Sequence, residues 1–145
     1  MACPEPANGS LAGSRKEGRI QKMDKIKNFR DLKIWQSGME IVIIIYTLTS
    51  KYPKEELFSL VSQMRRAAVS MPSNIAEGFA RQHNKEYVQF LYISLGSAAE
   101  LETQIEISFK LNYINESSKN ELVEKINQFS RMTKSLINCV SASST

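Results

Sequence analysis

Three carboxylates in this chain could do acid–base chemistry: Glu77, Glu100 and Glu102. Paired carboxylates held at different protonation states can drive hydrolysis. Close to the first of them in sequence stand four cations, Arg65, Arg66, Arg81 and Lys85, which are residue types that hold phosphates. Ser73 and Asn74 lie between these groups. Arg66, Asn74, Glu77 and Arg81 together have the composition of a polar site, the alternative being close helix packing. Other chemistries lack their residues. The one histidine, His83, has no Cys/His cluster around it, which argues against a zinc site. No Ser-His-Asp set and no nucleophile elbow can be built with it. The six glycines are scattered, so no phosphate loop is present. Inward Glu-x-x-His metal motifs are absent as well. The expectation is a chain with no catalytic residues, no metal and no cofactor.

These groups are carried mainly by one stretch, Leu60 to Arg81. Leu57, Val61, Met64, Ala68, Met71, Ile75 and Phe79 recur every third or fourth position and draw an apolar stripe down a helix. The opposite stripe, Gln63, Arg66, Ser70, Ser73, Glu77 and Arg81, is polar. The pattern predicts one helix from just after Pro53 to Arg81, with Glu55 and Glu56 in its first turn. Pro72 falls inside it, where it removes a hydrogen bond and bends the helix at a cost of roughly 3 kcal/mol. The hydroxyls of Ser70 and Ser73 are placed to satisfy freed backbone groups. Ala67, Ala68, Ser70, Ser73, Ala76, Gly78 and Ala80 are small, which lets a second backbone come close.

The other segments follow the same period. A first helix is expected from Leu32 to Lys51, with Asp31 as its cap and Trp35, Met39, Val42, Tyr46 and Thr49 as its apolar stripe. Its run Ile41-Val42-Ile43-Ile44-Ile45 is apolar on every side and needs covering on every side. That predicts an oligomer, with Ile41, Ile43, Ile44 and Ile45 at the interface. A third helix, Lys85 to Asn112 with Asn84 as cap, carries the small run Gly96-Ser97-Ala98-Ala99. Its acidic residues, Glu100, Glu102 and Glu106, are expected to face the basic residues of the second helix. A fourth helix covers Glu116 to Val140. The fold expected is all-α, an antiparallel up-down-up-down four-helix bundle with its second helix kinked near Pro72.

The chain has 145 residues, 42% hydrophobic and 23% charged, which suits one globular domain. Residues 1–28 are rich in Gly, Pro and cations and lack an apolar period, so they read as a disordered tail. The bundle is expected over 29–141 and a frayed end over 142–145. Formal net charge is +4. Of this, +3 belongs to residues 1–28, so the folded part is nearly neutral. Two cysteines, Cys3 and Cys139, make no disulfide framework and suit a reducing cytosol. No apolar run approaches a membrane span of about 18 residues, and the N-terminus has no signal-like apolar region. A cytoplasmic protein is expected.

Three strings carry a resemblance: FRDLKIWQ (Phe29–Gln36), VSQMRRAAVSMPSNIAEGFAR (Val61–Arg81) and EYVQFLYISLGSAAELETQIEIS (Glu86–Ser108). Together they closely resemble the four helix bundle protein family, which includes proteins encoded in intervening sequences of bacterial 23S ribosomal RNA genes. The likeness spans about Phe29 to Val140. It implies an antiparallel bundle, a homopentamer and a bacterial cytoplasmic setting, but no settled activity. The family pattern matches at Arg66, Ser73, Asn74, Glu77, Gly78, Ser97 and Glu100, and the resemblance implies that Arg66, Ser73, Asn74, Glu77 and Glu100 form a polar network, either structural or a ligand or RNA site. A structurally similar group, the accessory proteins of diversity-generating retroelements, binds nucleic acid through a basic pentameric barrel. The near-neutral folded part here weighs against simple transfer of that role. The reading reached from sequence is a non-enzymatic homo-oligomeric bundle that binds RNA or a nucleoprotein, with Arg65, Arg66, Arg81 and Lys85 on phosphates. A protein-binding scaffold without nucleic acid is the alternative.

Overall fold

The structure, a computed structural model, describes residues 26–143. The expected disordered tail up to residue 25 and the last two residues of the frayed end lie outside the described residues. Four α-helices form the described part: α1 (Lys33–Thr49), α2 (Leu60–Ala80), α3 (Asn84–Lys110) and α4 (Glu116–Ala142). Each packs on its two neighbours in a closed square, and the backbones of the diagonal pairs stay apart. The all-α four-helix expectation holds.

Cross-helix contacts set the direction. Along α2 and α3, Met71 meets Ser94, Ser70 meets Ser97 and Met64 meets Ser108, so one number falls as the other rises. α1 opposes α2 in the same way, with Gly38 at Pro72 and Tyr46 at Arg65. Lys119 lies against Glu106 and Phe109, which makes α4 antiparallel to α3. Short links between consecutive helices favour this up-and-down order.

The predicted stripes fill the core on α2, α3 and α4, but on α1 the expected stripe is rotated: Met39 and Tyr46 are exposed, Trp35 and Val42 are half-buried, and only Thr49 of that set is buried. Ile41 and Ile45 of α1, Met64, Met71 and Ile75 of α2, Leu91, Leu101 and Ile105 of α3, and Ile126 and Phe129 of α4 are all fully buried. Pro72 sits inside an unbroken α2 and is itself buried against Gly38. The hydroxyls of Ser70 and Ser73 do not serve the backbone there. Ser70 bonds the side chains of Asn74 and Ser97, while Ser94 reaches from α3 to the Met71 carbonyl at 2.9 Å.

Several expected boundaries move. Order begins before residue 29, because Ile26 packs on the core and the Asn28 side chain accepts from the Arg30 backbone N–H at 3.0 Å. Asn28 thereby caps a 3-10 turn, Phe29–Asp31, and Asp31 lies inside that turn and caps nothing. Helix α2 starts at Leu60, not after Pro53. Pro53 instead opens a second 3-10 turn, Lys54–Glu56, so Leu57 is exposed and leaves the core stripe. Asn84 is the first residue of α3 rather than its cap. Asn115 caps α4 by accepting from the Ser118 N–H at 2.8 Å. The end of α3 is closed by Asn112 at φ 64°, with Tyr113 N–H donating to the Ser108 carbonyl and Asn112 N–H to the Phe109 carbonyl. That pair of bonds is the Schellman closure. Cys139 is disulfide-bonded, which removes cysteine usage as an argument for a reducing compartment. No helix among the described residues is long and apolar enough to cross a membrane.

Tyr52, in the α1–α2 link, is a buried weak point. Its ring packs on Tyr113 with centroids 5.1 Å apart. Its hydroxyl makes no well-formed hydrogen bond, and the neighbouring Ser108 hydroxyl spends its proton on the Gln104 carbonyl. Burial pushes the phenol above its ordinary range, and the Ser108 hydroxyl offsets part of that rise. The unfolded phenol therefore ionises first as pH climbs through about 10, and stability falls from there upward. Tyr52→Phe removes an unsatisfied buried group. We expect it to leave stability at pH 7 unchanged or raised by about 1 kcal/mol and to flatten the alkaline loss, as read by urea unfolding at pH 7 and above pH 10. A loss of 2 kcal/mol at pH 7 would show a missed bond to the hydroxyl.

Candidate functional site

The predicted polar set divides into three places. The first is the outer seam between α2 and α3. Here Gln63, Arg66, Ala67, Ser70, Ser97 and Glu100 line a polar cavity of about 250 Å³. At its floor Ser97 Oγ donates to Ser70 Oγ at 2.8 Å, and Asn74 Nδ2 donates to Ser70 Oγ and to the Ser70 carbonyl, each at 2.8 Å. Helical spacing brings Arg66, Ser70 and Asn74 to one edge of α2, and Ser97 and Glu100 to the facing edge of α3. Opposite charges thus share a cavity mouth. They do not neutralise each other, since among the described residues neither Arg66 nor Glu100 makes an ion pair. Glu100 instead accepts from Gln104 Nε2 at 3.4 Å, and the buried Gln104 Oε1 has no hydrogen-bond partner.

The second place is the end of α2. Glu77 lies eleven residues beyond Arg66, about 16 Å along the helix. It pairs with Arg81 at 3.1 Å, and Arg81 also covers the Phe90 ring at 5.3 Å. Both partners are about half exposed, so the pair adds little to stability. Ser73 is exposed and makes no hydrogen bond among the described residues. The five-residue network expected from sequence therefore does not form as one unit. Arg66, Ser70, Asn74, Ser97 and Glu100 stay together, while Glu77 and Ser73 stand apart.

The third place is the α1–α2 seam, where Arg65 is spent on structure. Its Nε donates to Thr49 Oγ1 at 3.0 Å, and its guanidinium lies 4.6 Å from the Tyr46 ring centroid. The four expected phosphate contacts are therefore dispersed. Arg65 faces α1, Arg66 faces the α2–α3 cavity, and Arg81 and Lys85 lie at the far end of the bundle. The acidic residues of α3 do not pair with basic residues of α2 either. Glu106 meets Lys119 of α4 at 3.1 Å. The three carboxylates do not converge, and no cluster that could hold a metal ion occurs among the described residues.

The apolar run on α1 also resolves. Ile41 (1% exposed) and Ile45 (0%) belong to the chain's own core, and Ile44 is half-buried against it. These three are not an outer surface. The reason is angular: α1 touches both α2 and α4, and five consecutive residues span more than one helical turn. Only Ile43, 62% exposed, faces out. Beside it sit Met39 and Tyr46, and next to them Leu57, Phe58 (91% exposed) and Val69. Tyr46, Leu57, Phe58, Arg65, Arg66 and Val69 are among the residues that border a shallow groove of about 620 Å³. Sequence reading missed Phe58 because it assigned the residue to a helix that starts later. It missed Ser94 as well, whose place on the core stripe of α3 was the available signal.

A square of four antiparallel helices with two polar seams and no clustered catalytic groups defines the class, an all-helical bundle. Residues 30–135 match the 23S rRNA-intervening sequence protein family, and the chain belongs to that family. Among solved structures it is similar to a protein of unknown function from the S23 ribosomal protein family of Bacteroides thetaiotaomicron. That likeness has a TM-score of 0.68 at 22% identity, over 72% of this chain and 95% of the other. It concerns the fold. No curated protein matches the chain.

Proposed function

We propose that the chain assembles with copies of itself and that the assembly, in the cytoplasm, binds RNA or a nucleoprotein without performing chemistry on it. The observation that carries the reading is a pair of uncovered apolar stripes. Met39, Ile43 and Tyr46 run down the outside of α1 at helical spacing. On α3, Ile93 and Ile107 are exposed on one face, about four turns apart with Gly96 and Glu100 between them, and exposed Leu111 follows at the helix end. These stripes flank α2 on its two sides. A two-fold dimer that sets each copy's α1 stripe on the other's α3 stripe would cover both. Head-to-tail contact of one copy's α1 stripe with the next copy's α3 stripe also covers both, and makes a ring when the rotation between copies closes. The family resemblance favours five copies. Arg66 and Lys85, exposed and without ion pairs, supply the positive charge, and repetition around a ring multiplies weak contacts.

Light scattering tests the reading. We expect a mass that is a multiple of 16.4 kDa, lowered by Ile43→Glu or Phe58→Glu. Added bacterial RNA should raise the mass at low salt and lose its hold as salt rises. A 16.4 kDa wild-type particle would overturn the assembly. RNA binding indifferent to salt would overturn the phosphate contacts. A protein-binding scaffold is the second reading, and one observation favours it. Residues 26–143 hold fourteen Lys/Arg against twelve Asp/Glu, a weak field for a polyanion. An assembly whose mass ignores RNA at every salt would select it.

A further inference from the structure

A wide cavity lies at the opposite end of the described residues from the α1–α2 groove, between the first turns of α3 and the end of α4. It has a volume of about 870 Å³ and is bordered by Gln82, Asn84, Lys85, Gln89, Tyr92 and Ser141, among others. That is within the ~300–1,000 Å³ typical of small-molecule sites. Tyr92 is 59% exposed in it, an aromatic face with no ring partner among the described residues. Three carboxamides, Gln82, Asn84 and Gln89, offer donors and acceptors together. Lys85 stands at the same cavity with no ion pair. The α4 side adds a second cation. Lys134 lies seven residues before Ser141 and so on the same helical face. The antiparallel register fixed by Lys119 on Glu106 and Phe109 sets Lys134 level with Tyr92. Lys134 is exposed and also makes no ion pair.

We propose that this α3–α4 groove is the RNA contact, holding an unpaired base stacked on Tyr92 with Lys85 and Lys134 on the adjoining phosphates. The inference rests on the RNA reading above and deepens it. A flat aromatic platform, amide groups for a base edge and flanking cations are the ingredients of single-strand recognition. Duplex RNA offers none of its base faces to such a platform. The groove therefore selects loops, bulges or single-stranded ends. It also explains how a nearly neutral body can bind RNA: affinity comes from stacking as well as from charge.

The test is fluorescence anisotropy with labelled ten-nucleotide single-stranded RNA and a duplex of equal length, using the full chain. Wild type should prefer the single strand. Tyr92→Ala should weaken it about tenfold or more, because stacking on an aromatic is worth ~1–3 kcal/mol per base. Tyr92→Phe should retain binding, and Lys134→Gln should weaken it while lowering the salt slope by about one. Tyr92 is exposed, so helical circular dichroism should be unchanged in both variants. Equal affinity for duplex and single strand, or Tyr92→Ala binding like wild type, overturns the groove and leaves RNA binding standing elsewhere. Wild type that binds neither RNA overturns both.

Discussion

Phe129→Ala is expected to cost about 3–5 kcal/mol of stability, the largest effect of any single truncation considered for this chain. The ring is fully buried. It reaches from α4 to the place where α1 and α2 come closest. A methyl group added at Gly38 would stand 3.4 Å from Phe129 and 3.3 Å from Pro72. Neither the glycine nor the rigid proline can move into a vacated space. The cavity would therefore persist, and its cost adds to the lost transfer energy. Urea unfolding should show a lower midpoint with an unchanged slope. With a total stability of ~5–15 kcal/mol for ordinary domains, the variant sits near the edge of folding. A loss under 1 kcal/mol would mean that the three helices collapse around the gap, contrary to the packing described.

The second large effect comes from one substitution made at two glycines. Gly78→Ala should destabilise by about 1–3 kcal/mol, as overpacking does. Gly96→Ala should stabilise by up to about 1 kcal/mol, the ordinary helix preference for alanine. Both glycines lie inside helices. The difference is what a Cβ would meet. At Gly78 it would stand 2.7 Å from Phe90 Cβ and 3.1 Å from the Tyr87 ring. Phe90 Cβ is fixed to its backbone, so α2 and α3 must part. At Gly96 nothing lies within 4 Å. Thermal unfolding of the two variants side by side reads the sign directly. If both variants gain stability, the α2–α3 approach is looser than described. If Gly96→Ala disturbs the assembly while leaving the fold intact, the open glycine lies under a neighbouring copy, as the ring requires.

Much of this architecture was legible from residue order. The 3.6-residue stripes named most of the core of α2 and α3, since Val61, Met64, Ala68, Met71 and Ile75 on α2 and Leu91, Ala98, Leu101 and Ile105 on α3 are all buried, but on α1 they chose the wrong face, because a run apolar on every side carries no angular signal. Gly78 was read as a point of close approach and is one. The strings around Arg66 and Glu100 pointed to a family, and residues 30–135 belong to it. Boundaries were less legible. Asp31 and Asn84 have the chemistry of caps but stand one position or more out of place. The start of α2 depends on how the Tyr52 anchor and the 3-10 turn at Lys54–Glu56 aim the chain, and no local preference records that.

The candidate site was half legible for the same reason. Helical period alone put Arg66 and Glu77 on one stripe, because period reports angle around a helix and not distance along it. The pairing register of α2 and α3 decided the rest. It set Ser97 against Ser70 and Glu100 beside Arg66, and it left Glu77 a turn from Arg81 and far from both. The apolar run of α1 shows the same division. Composition determined that Ile41 to Ile45 must be covered on most sides. Only the position of α1 between α2 and α4 decided that the chain covers Ile41 and Ile45 itself and leaves Ile43 to the outside. Sequence determined which residues avoid water, since hydrophobicity belongs to each side chain. Tertiary structure decided what each one meets, because that depends on the register and rotation of neighbouring helices.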